Sequence, residues 1–329
     1  MEPFDRITGN RDRVSLFRSL IDAGKCSHAY LLEAPRGGGK KTFALSFAAA
    51  LALRDGGEDV EAKCRRIYEG SSPDVRMLSV EEGKKTIGVD AVRSFLSTVY
   101  LTPSELSFKM FIFDEADAIT VQAQNALLKV IEEPPHDVYL ILLCENCLSM
   151  LSTVRSRVQK ITLETFSEDA LRAYAVENGL AKDGADEKLS FAVRSAKGAI
   201  GRLRALLRDG DETFAAYRMA KSVVEAQAAH ASYASFLRLF AEFLQTREQL
   251  DALTDALLAA YRDLARARYL DGDRPEFFDP DEALRYSMQF ATQTVATSAE
   301  AVNRVRNDAM FYPTTALAGM KLAVALWHA

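Results

Sequence analysis

Residues 30–42 read Tyr30-Leu-Leu-Glu33-Ala34-Pro-Arg-Gly37-Gly-Gly39-Lys40-Lys41-Thr42. A short apolar run gives way to three consecutive glycines and two lysines. Lys40 to Leu53 then carries apolar residues all round, as a largely buried helix does. Strand, glycine-rich turn and helix is the order a phosphate-binding loop needs, because flexible glycines let backbone N–H groups converge on phosphate oxygens at a helix N-terminus. Such a loop also needs a lysine for the β/γ-phosphates and a Ser or Thr hydroxyl for Mg²⁺. Gly37, Gly39 and Lys40 meet the pattern. Ala34 stands where the first glycine belongs, and Lys41 where the hydroxyl belongs. Thr42 comes one residue late, about 100° further round the helix. The plainer reading is a glycine-rich turn that holds no ligand.

Further along, Met110-Phe-Ile-Phe113 is an apolar run ending at Asp114-Glu115, and Val138 to Leu143 is another. Val158 to Leu163 alternates like a strand. Short continuous apolar runs separated by helical stretches predict a parallel sheet covered on both faces, an α/β domain. A strand ending in Asp-Glu beside a phosphate loop suits an ATPase, in which the Asp holds Mg²⁺ through water and the Glu polarises the attacking water. A strand end meeting solvent would look the same. Asn125 to Glu132 reads as a helix ended by Pro134-Pro135. Thr153-Val-Arg-Ser-Arg157-Val158 reads as a turn carrying two arginines, Arg155 and Arg157.

The pattern changes near Thr165. Ser167-Glu-Asp predicts a capped helix start with acids in its first turn. The chain then reads as helical through Gly198 to about Leu207, with a plausible boundary at Asp209-Gly210-Asp211. From Asp211 to Asp271 there is neither Gly nor Pro, and Ala, Leu, Arg and Glu recur at helical spacing. A loop from Asp271 to Pro280 leads to a last helical block ending at Ala329. Three domains are expected: an α/β domain over 1–164, a small helical domain over 165–209 and a helical domain over 210–329.

Composition narrows the function classes. The 329 residues are 48% hydrophobic and 26% charged, as in an ordinary soluble globular protein. A net charge of −5 argues against a chain held on nucleic acid by bulk positive charge, so weak DNA binding by the isolated chain is expected. No stretch approaches the roughly 20 uninterrupted apolar residues that span a bilayer. Met1-Glu-Pro-Phe-Asp-Arg has neither the basic nor the apolar region of a secretory signal, and four cysteines make no disulfide framework. The chain reads as cytoplasmic, with no membrane partner.

Taken in order, His28-Ala-Tyr-Leu, the glycine-rich loop with Lys40, Asp114-Glu115-Ala-Asp117, Asn125-Ala-Leu-Leu-Lys with Glu132-Glu-Pro-Pro135, and Thr153-Val-Arg-Ser-Arg157 resemble bacterial clamp-loader subunits of the AAA+ class. The resemblance is dense over residues 1–208 and only compositional beyond. It implies an AAA+ α/β domain with a parallel sheet, then a small helical lid domain and an all-α collar-type domain. It puts Lys40 in the phosphate-loop lysine position and Asp114 and Glu115 in the Mg²⁺- and water-activating positions. Cys144 takes the place where relatives often carry a Thr that senses the γ-phosphate; a thiol is a poor donor for that. Gly198-Ala-Ile-Gly201-Arg202 resembles the second-domain sensor, with Arg202 as its arginine. Ser156-Arg157-Val158 resembles the Ser-Arg-Cys motif, whose arginine reaches ATP bound by the neighbouring subunit.

The groups that would serve this subunit's own ATP are thus eroded at Ala34, Lys41 and Cys144, while the arginine that serves a neighbour is present. This pattern, like the chain's length, resembles the stator (delta-prime) type more than the gamma/tau motor type. It implies gamma/tau and delta subunits, the sliding clamp and, through the assembly, primed DNA as partners. No cofactor is expected to be required, although ATP with Mg²⁺ at the chain's own loop stays open. Relatives often carry a four-cysteine zinc module; here Cys64 matches its last ligand, but Glu61 and Glu58 hold the two positions before it, so no zinc or other metal is expected. Cys144 and Cys147 could be read as a redox pair, but they begin at a buried strand end, and coincidence is the simpler reading. Two rivals remain: an active motor ATPase, and a scaffold in which even Arg157 is idle.

Overall fold

A computed structural model describes residues 2–182, 186–208, 211–244, 246–269, 275–308 and 314–329. The chain divides into two compact units, Met1–Phe166 with Gly198–Gly201, and Ser167–Lys197 with Arg202–Ala329. The first division falls two residues after the expected 164/165 boundary. The 165–209 segment, expected as a domain of its own, is shared between the two units, and Asp209-Gly210 lies outside the described residues.

In the first unit helix α1 (Arg11–Asp22) precedes strand β1 (Ala29–Glu33), α2 (Lys40–Asp55) and α3 (Val60–Glu69). Then come β2 (Val75–Leu78), α4 (Val89–Leu96), β3 (Lys109–Phe113), α5 (Val121–Glu132), β4 (Val138–Cys144), α6 (Ser152–Arg155) and β5 (Gln159–Thr162). The strands form one parallel sheet in the order β2-β3-β4-β1-β5. Successive side chains of a strand point to opposite faces, and here both faces are apolar. Tyr30, Leu32, Met110, Ile112, Ile141 and Leu143 pack into one core with Phe17 of α1 and Phe43 and Phe47 of α2. Leu31, Phe111, Phe113, Leu140 and Leu142 pack into the other with Phe95 of α4, Leu127 and Ile131 of α5, and Val154 of α6. The result is a three-layer sandwich, as the continuous apolar runs predict. Sequence patterning does not predict strand β2. It is an edge strand whose Arg76 lies 5.2 Å from the Phe95 ring and donates to Thr98 Oγ1 at 2.8 Å, so its apolar run is interrupted.

The chain leaves β1 for the layer of α2 but leaves β3 and β4 for the layer of α5 and α6. Loops therefore part at the C-terminal ends of β1 and β4, the crevice in which open α/β sheets take ligands.

The second unit is helical: α7 (Glu168–Glu177), α8 (Glu187–Ser195), most of α9 (Ile200–Arg208), α10 (Asp211–Ala228), α11 (Tyr233–Phe243), α12 (Arg247–Ala267), α13 (Pro280–Gln289), α14 (Thr292–Asp308) and α15 (Thr315–His328). Ser167 caps α7 as expected, accepting the Ala170 N–H at 3.2 Å. The Gly- and Pro-free stretch from 211 is interrupted by Ser232 and by Thr246, each capping a new helix through its side chain. Its core centres on Tyr217, Phe236, Leu253, Leu257, Tyr261 and Phe278. Part of the loop expected over 271–280 lies outside the described residues. Among the described residues, no helix is long and apolar enough to cross a membrane.

Candidate functional site

The glycine-rich loop follows β1 directly. Gly37 and Gly39 have φ of +78° and +84°, backbone that side chains other than glycine rarely adopt. Lys40 opens α2, and its ammonium turns back on the loop, donating to the Ala34 carbonyl at 2.6 Å and the Pro35 carbonyl at 3.1 Å. Burial pulls the Lys40 pKa below its ordinary value; Glu145, Cys144, Asp114 and Asp117 act in the opposite sense without cancelling it. Those neighbours come from β3 and β4 and the turns after them, which the strand order sets beside β1. The sheet thus brings Gly37, Gly39, Lys40, Asp114 and Cys144 together at its C-terminal edge. Glu115 follows Asp114, exposed and with a left-handed φ of 56°, its N–H held by Asp114 Oδ1 at 3.1 Å.

The backbone of this edge is tied from several sides. Asp117 accepts the N–H groups of Glu145 and Asn146 at 2.7 and 3.1 Å and the Ser149 hydroxyl at 2.8 Å. Burial disfavours the charged form of Glu33, but the Cys147 N–H at 2.7 Å and the Lys160 ammonium at 2.8 Å more than offset it and hold its pKa at about 2. Cys144 and Cys147 are both buried and both free. Burial, helped by Asp117 and Glu33, pushes the Cys144 thiol up to about 12, so it is neutral at physiological pH. The Gly201 N–H donates to the Gly37 carbonyl at 3.0 Å, and a Cβ at position 201 would stand 2.7 Å from that oxygen. Only glycine fits against the loop there.

Arg202 belongs to the second unit. There it adds to the positive field around Glu276. Burial would raise the Glu276 pKa, but Lys197 at 2.8 Å, Arg262 at 2.9 Å and Arg202 lower it.

Arg157 lies at the other end of the sheet. It follows the one-turn helix α6 and comes two residues before β5, whose Gln159 pairs with Tyr30 near the start of β1. Its Nε stands 2.7 Å from Glu132 Oε1, and its Nη1 donates to the Thr153 carbonyl at 3.1 Å and to Ser156 Oγ at 3.3 Å. The side chain is 42% exposed. Glu132 ends α5 at the same edge, and His28, just before β1, contacts the neighbouring Ile131 carbonyl through Nε2 at 2.9 Å.

Motif and spacing do not single out Gln124, in the first turn of α5. It is buried on α5, donates to the Ile119 carbonyl at 3.0 Å and accepts the Leu151 N–H at 2.7 Å. It thereby fixes the chain just ahead of α6 and Arg157. A signal was present: Gln124 falls on the same helical stripe as Leu127 and Ile131, a polar residue on an apolar face.

The family model described as "DNA polymerase III, delta subunit" matches residues 9–167. The chain is 25% identical over 306 residues to the DNA polymerase III subunit delta' of Bacillus subtilis (strain 168), covering 90% of both chains. It is 36% identical over 147 residues to the delta' subunit of Pseudomonas aeruginosa, covering 44% of this chain and 45% of that one. Similarity to the gamma subunit of Buchnera aphidicola is 31% over 172 residues, and there the chain spans only 47% of the relative's length. For the B. subtilis tau subunit that share is 30%. Among solved structures, a gamma subunit-related protein of Thermotoga maritima aligns over 94% of this chain with a TM-score of 0.44 and 15% identity. The chain is thus similar along nearly its whole length to one DNA polymerase III delta' subunit, and its α/β half matches the DNA polymerase III delta subunit model.

Proposed function

We propose that the chain is a stator subunit of a bacterial clamp loader and that its chemical contribution is Arg157, supplied to ATP held by a neighbouring gamma/tau subunit. Delta, the sliding clamp and, through the assembly, primed DNA complete its partners. The observation that carries this reading is the placement of Arg157 at the N-terminal edge of the sheet, with the glycine-rich loop at the C-terminal edge. Strand β1 has five residues, so the two edges are roughly 16 Å apart at about 3.3 Å per residue. That exceeds the reach of an arginine side chain, so this guanidinium serves another subunit's nucleotide or none. On a γ-phosphoryl group in transfer it would neutralise charge on the equatorial oxygens, an effect worth about 10³-fold or more in rate.

The family implies ATP and Mg²⁺ at the chain's own loop, and the residues present fit them poorly. Lys41 puts an ammonium in place of the hydroxyl that Mg²⁺ needs, the Lys40 ammonium is taken up by loop carbonyls, and Cys144 offers a neutral thiol. The loop is therefore assigned no step in hydrolysis.

The test is an assembly reconstituted with gamma/tau and delta, the clamp and primed DNA. Arg157→Ala should abolish most clamp-dependent ATP hydrolysis. Arg157→Lys should recover little of it, because a lysine lacks the planar donor fork. Unchanged hydrolysis in Arg157→Ala overturns the reading.

A further inference from the structure

We infer that Glu132 is the positioning residue for Arg157, holding its guanidinium ready before a neighbour's nucleotide arrives; the inference rests on the reading of Arg157 given above. Three acceptors from the chain itself hold this arginine. Glu132 Oε1 takes the Nε side at 2.7 Å, while the Thr153 carbonyl and Ser156 Oγ take Nη1 at 3.1 and 3.3 Å. Among the described residues Nη2 makes no hydrogen bond, which leaves it as the nitrogen for an incoming phosphate oxygen. A long, exposed arginine would otherwise sample many rotamers, and ordering it only at the moment of reaction raises the barrier.

Two features mark Glu132 as more than a surface acid. It is the last residue of α5, where the negative end of the helix disfavours a carboxylate. Its own helix therefore gains nothing from the charge, and the partner that offsets it is Arg157, reached from a different element. The strength of the pair also suits exchange. Glu132 is 48% exposed and Arg157 42%, and ion pairs this open to water are weak and screened. A phosphate, with more charge and several acceptor oxygens, can compete for the guanidinium without first breaking a buried bond. A carboxylate in this place orients the arginine without trapping it.

The experiment uses the reconstituted assembly and measures steady-state ATP hydrolysis against ATP concentration. Glu132→Ala should lower kcat about fivefold to tenfold with the KM for ATP unchanged, because binding belongs to the neighbour and only the orientation of the arginine is lost. Glu132→Gln keeps an oxygen acceptor for Nε and should restore most of kcat. The thermal unfolding of the chain should be the same for both variants. The double variant Glu132→Ala/Arg157→Ala should be no slower than Arg157→Ala alone, since Glu132 acts only through Arg157. Wild-type kcat in Glu132→Ala overturns the inference, and so does a further loss in the double variant. The two readings fail separately: a silent Arg157→Ala removes both, whereas a silent Glu132→Ala beside an inactive Arg157→Ala removes only the role of Glu132.

Discussion

The two edges of one five-stranded sheet differ in what their side chains are free to do. At the C-terminal edge a glycine-rich turn has positive φ at Gly37 and Gly39, with Lys40 at the start of α2. Its polar groups are nonetheless occupied from within: Lys40 by loop carbonyls, Gly37 by the Gly201 N–H, Asp117 and Glu33 by backbone amides. At the N-terminal edge Arg157 is exposed, held by one acid and two short-range acceptors, with a nitrogen to spare. One edge has its polar groups turned inward. The other turns the Arg157–Glu132 pair outward. The two tasks proposed for this domain, its own chemistry and a neighbour's, would sit a strand length apart and depend on different residues.

The contrast is broken most directly at Arg157. In a single-turnover assay of the assembled complex, Arg157→Ala should slow hydrolysis at the ATP site it faces by about 10³-fold while nucleotide binding there is unchanged. A loss of binding in place of turnover would make the arginine a docking contact.

Next in size is the bridge that Gln124 makes from α5 to the chain ahead of α6. Gln124→Leu removes the partners of the Leu151 N–H and the Ile119 carbonyl. It should cost at least about 2 kcal/mol in denaturant unfolding, since each of the two buried polar groups left unpaired costs about 1–3 kcal/mol. If stability holds but the assembled ATPase falls, Gln124 acts on the position of α6 alone.

Restoring the C-terminal edge probes the contrast from the other side. The combined Ala34→Gly, Lys41→Thr and Cys144→Thr chain should bind a fluorescent ATP analogue at least about tenfold more tightly than the parent, or about 1.4 kcal/mol, and only with Mg²⁺ present. Failure to gain affinity would shift the cause from those three side chains to the Gly201 contact on the loop.

The smallest effect is the acid limb of stability. Glu33 has a folded pKa of about 2 against an ordinary value of 4.5. Its ionised form therefore stabilises the fold fully above about pH 4.5, and that contribution is lost as the pH falls toward 2. Glu33→Gln should flatten stability between those values and leave its slope above pH 4.5 unchanged, as measured by unfolding at stepped pH.

Much of this was legible in the chain. The runs at 30–33, 110–113 and 138–143 predict β1, β3 and β4, and Lys40 to Leu53 predicts α2, because a side chain's periodicity reports whether its segment is buried on one face or all round. Strand β2 was not legible, since Arg76 breaks a four-residue edge strand and no period fits so short a run. The Gly- and Pro-free stretch after 211 concealed its breaks, because Ser232 and Thr246 cap the helices that follow them by side-chain hydrogen bonds and leave no compositional mark. The candidate site divides in the same way: Gly37, Gly39, Lys40 and Asp114 could be picked out by type and spacing and Arg157 by the family resemblance of Ser156-Arg157-Val158, whereas Gln124 and the pairing of Glu132 with Arg157 could not.

The order of residues was enough to settle the identity of most elements, the need for glycine in the loop and the chemical types at the site, because φ preference, periodicity and ionisable groups are local properties of the chain. Only packing in three dimensions settled that β4 lies between β3 and β1, that the loop and Arg157 take opposite edges of the sheet, and that Glu132 meets Arg157 across the gap between α5 and the turn after α6. Those facts depend on how helices pack over a sheet, which brings together residues far apart in sequence, and no local pattern records which pair will meet.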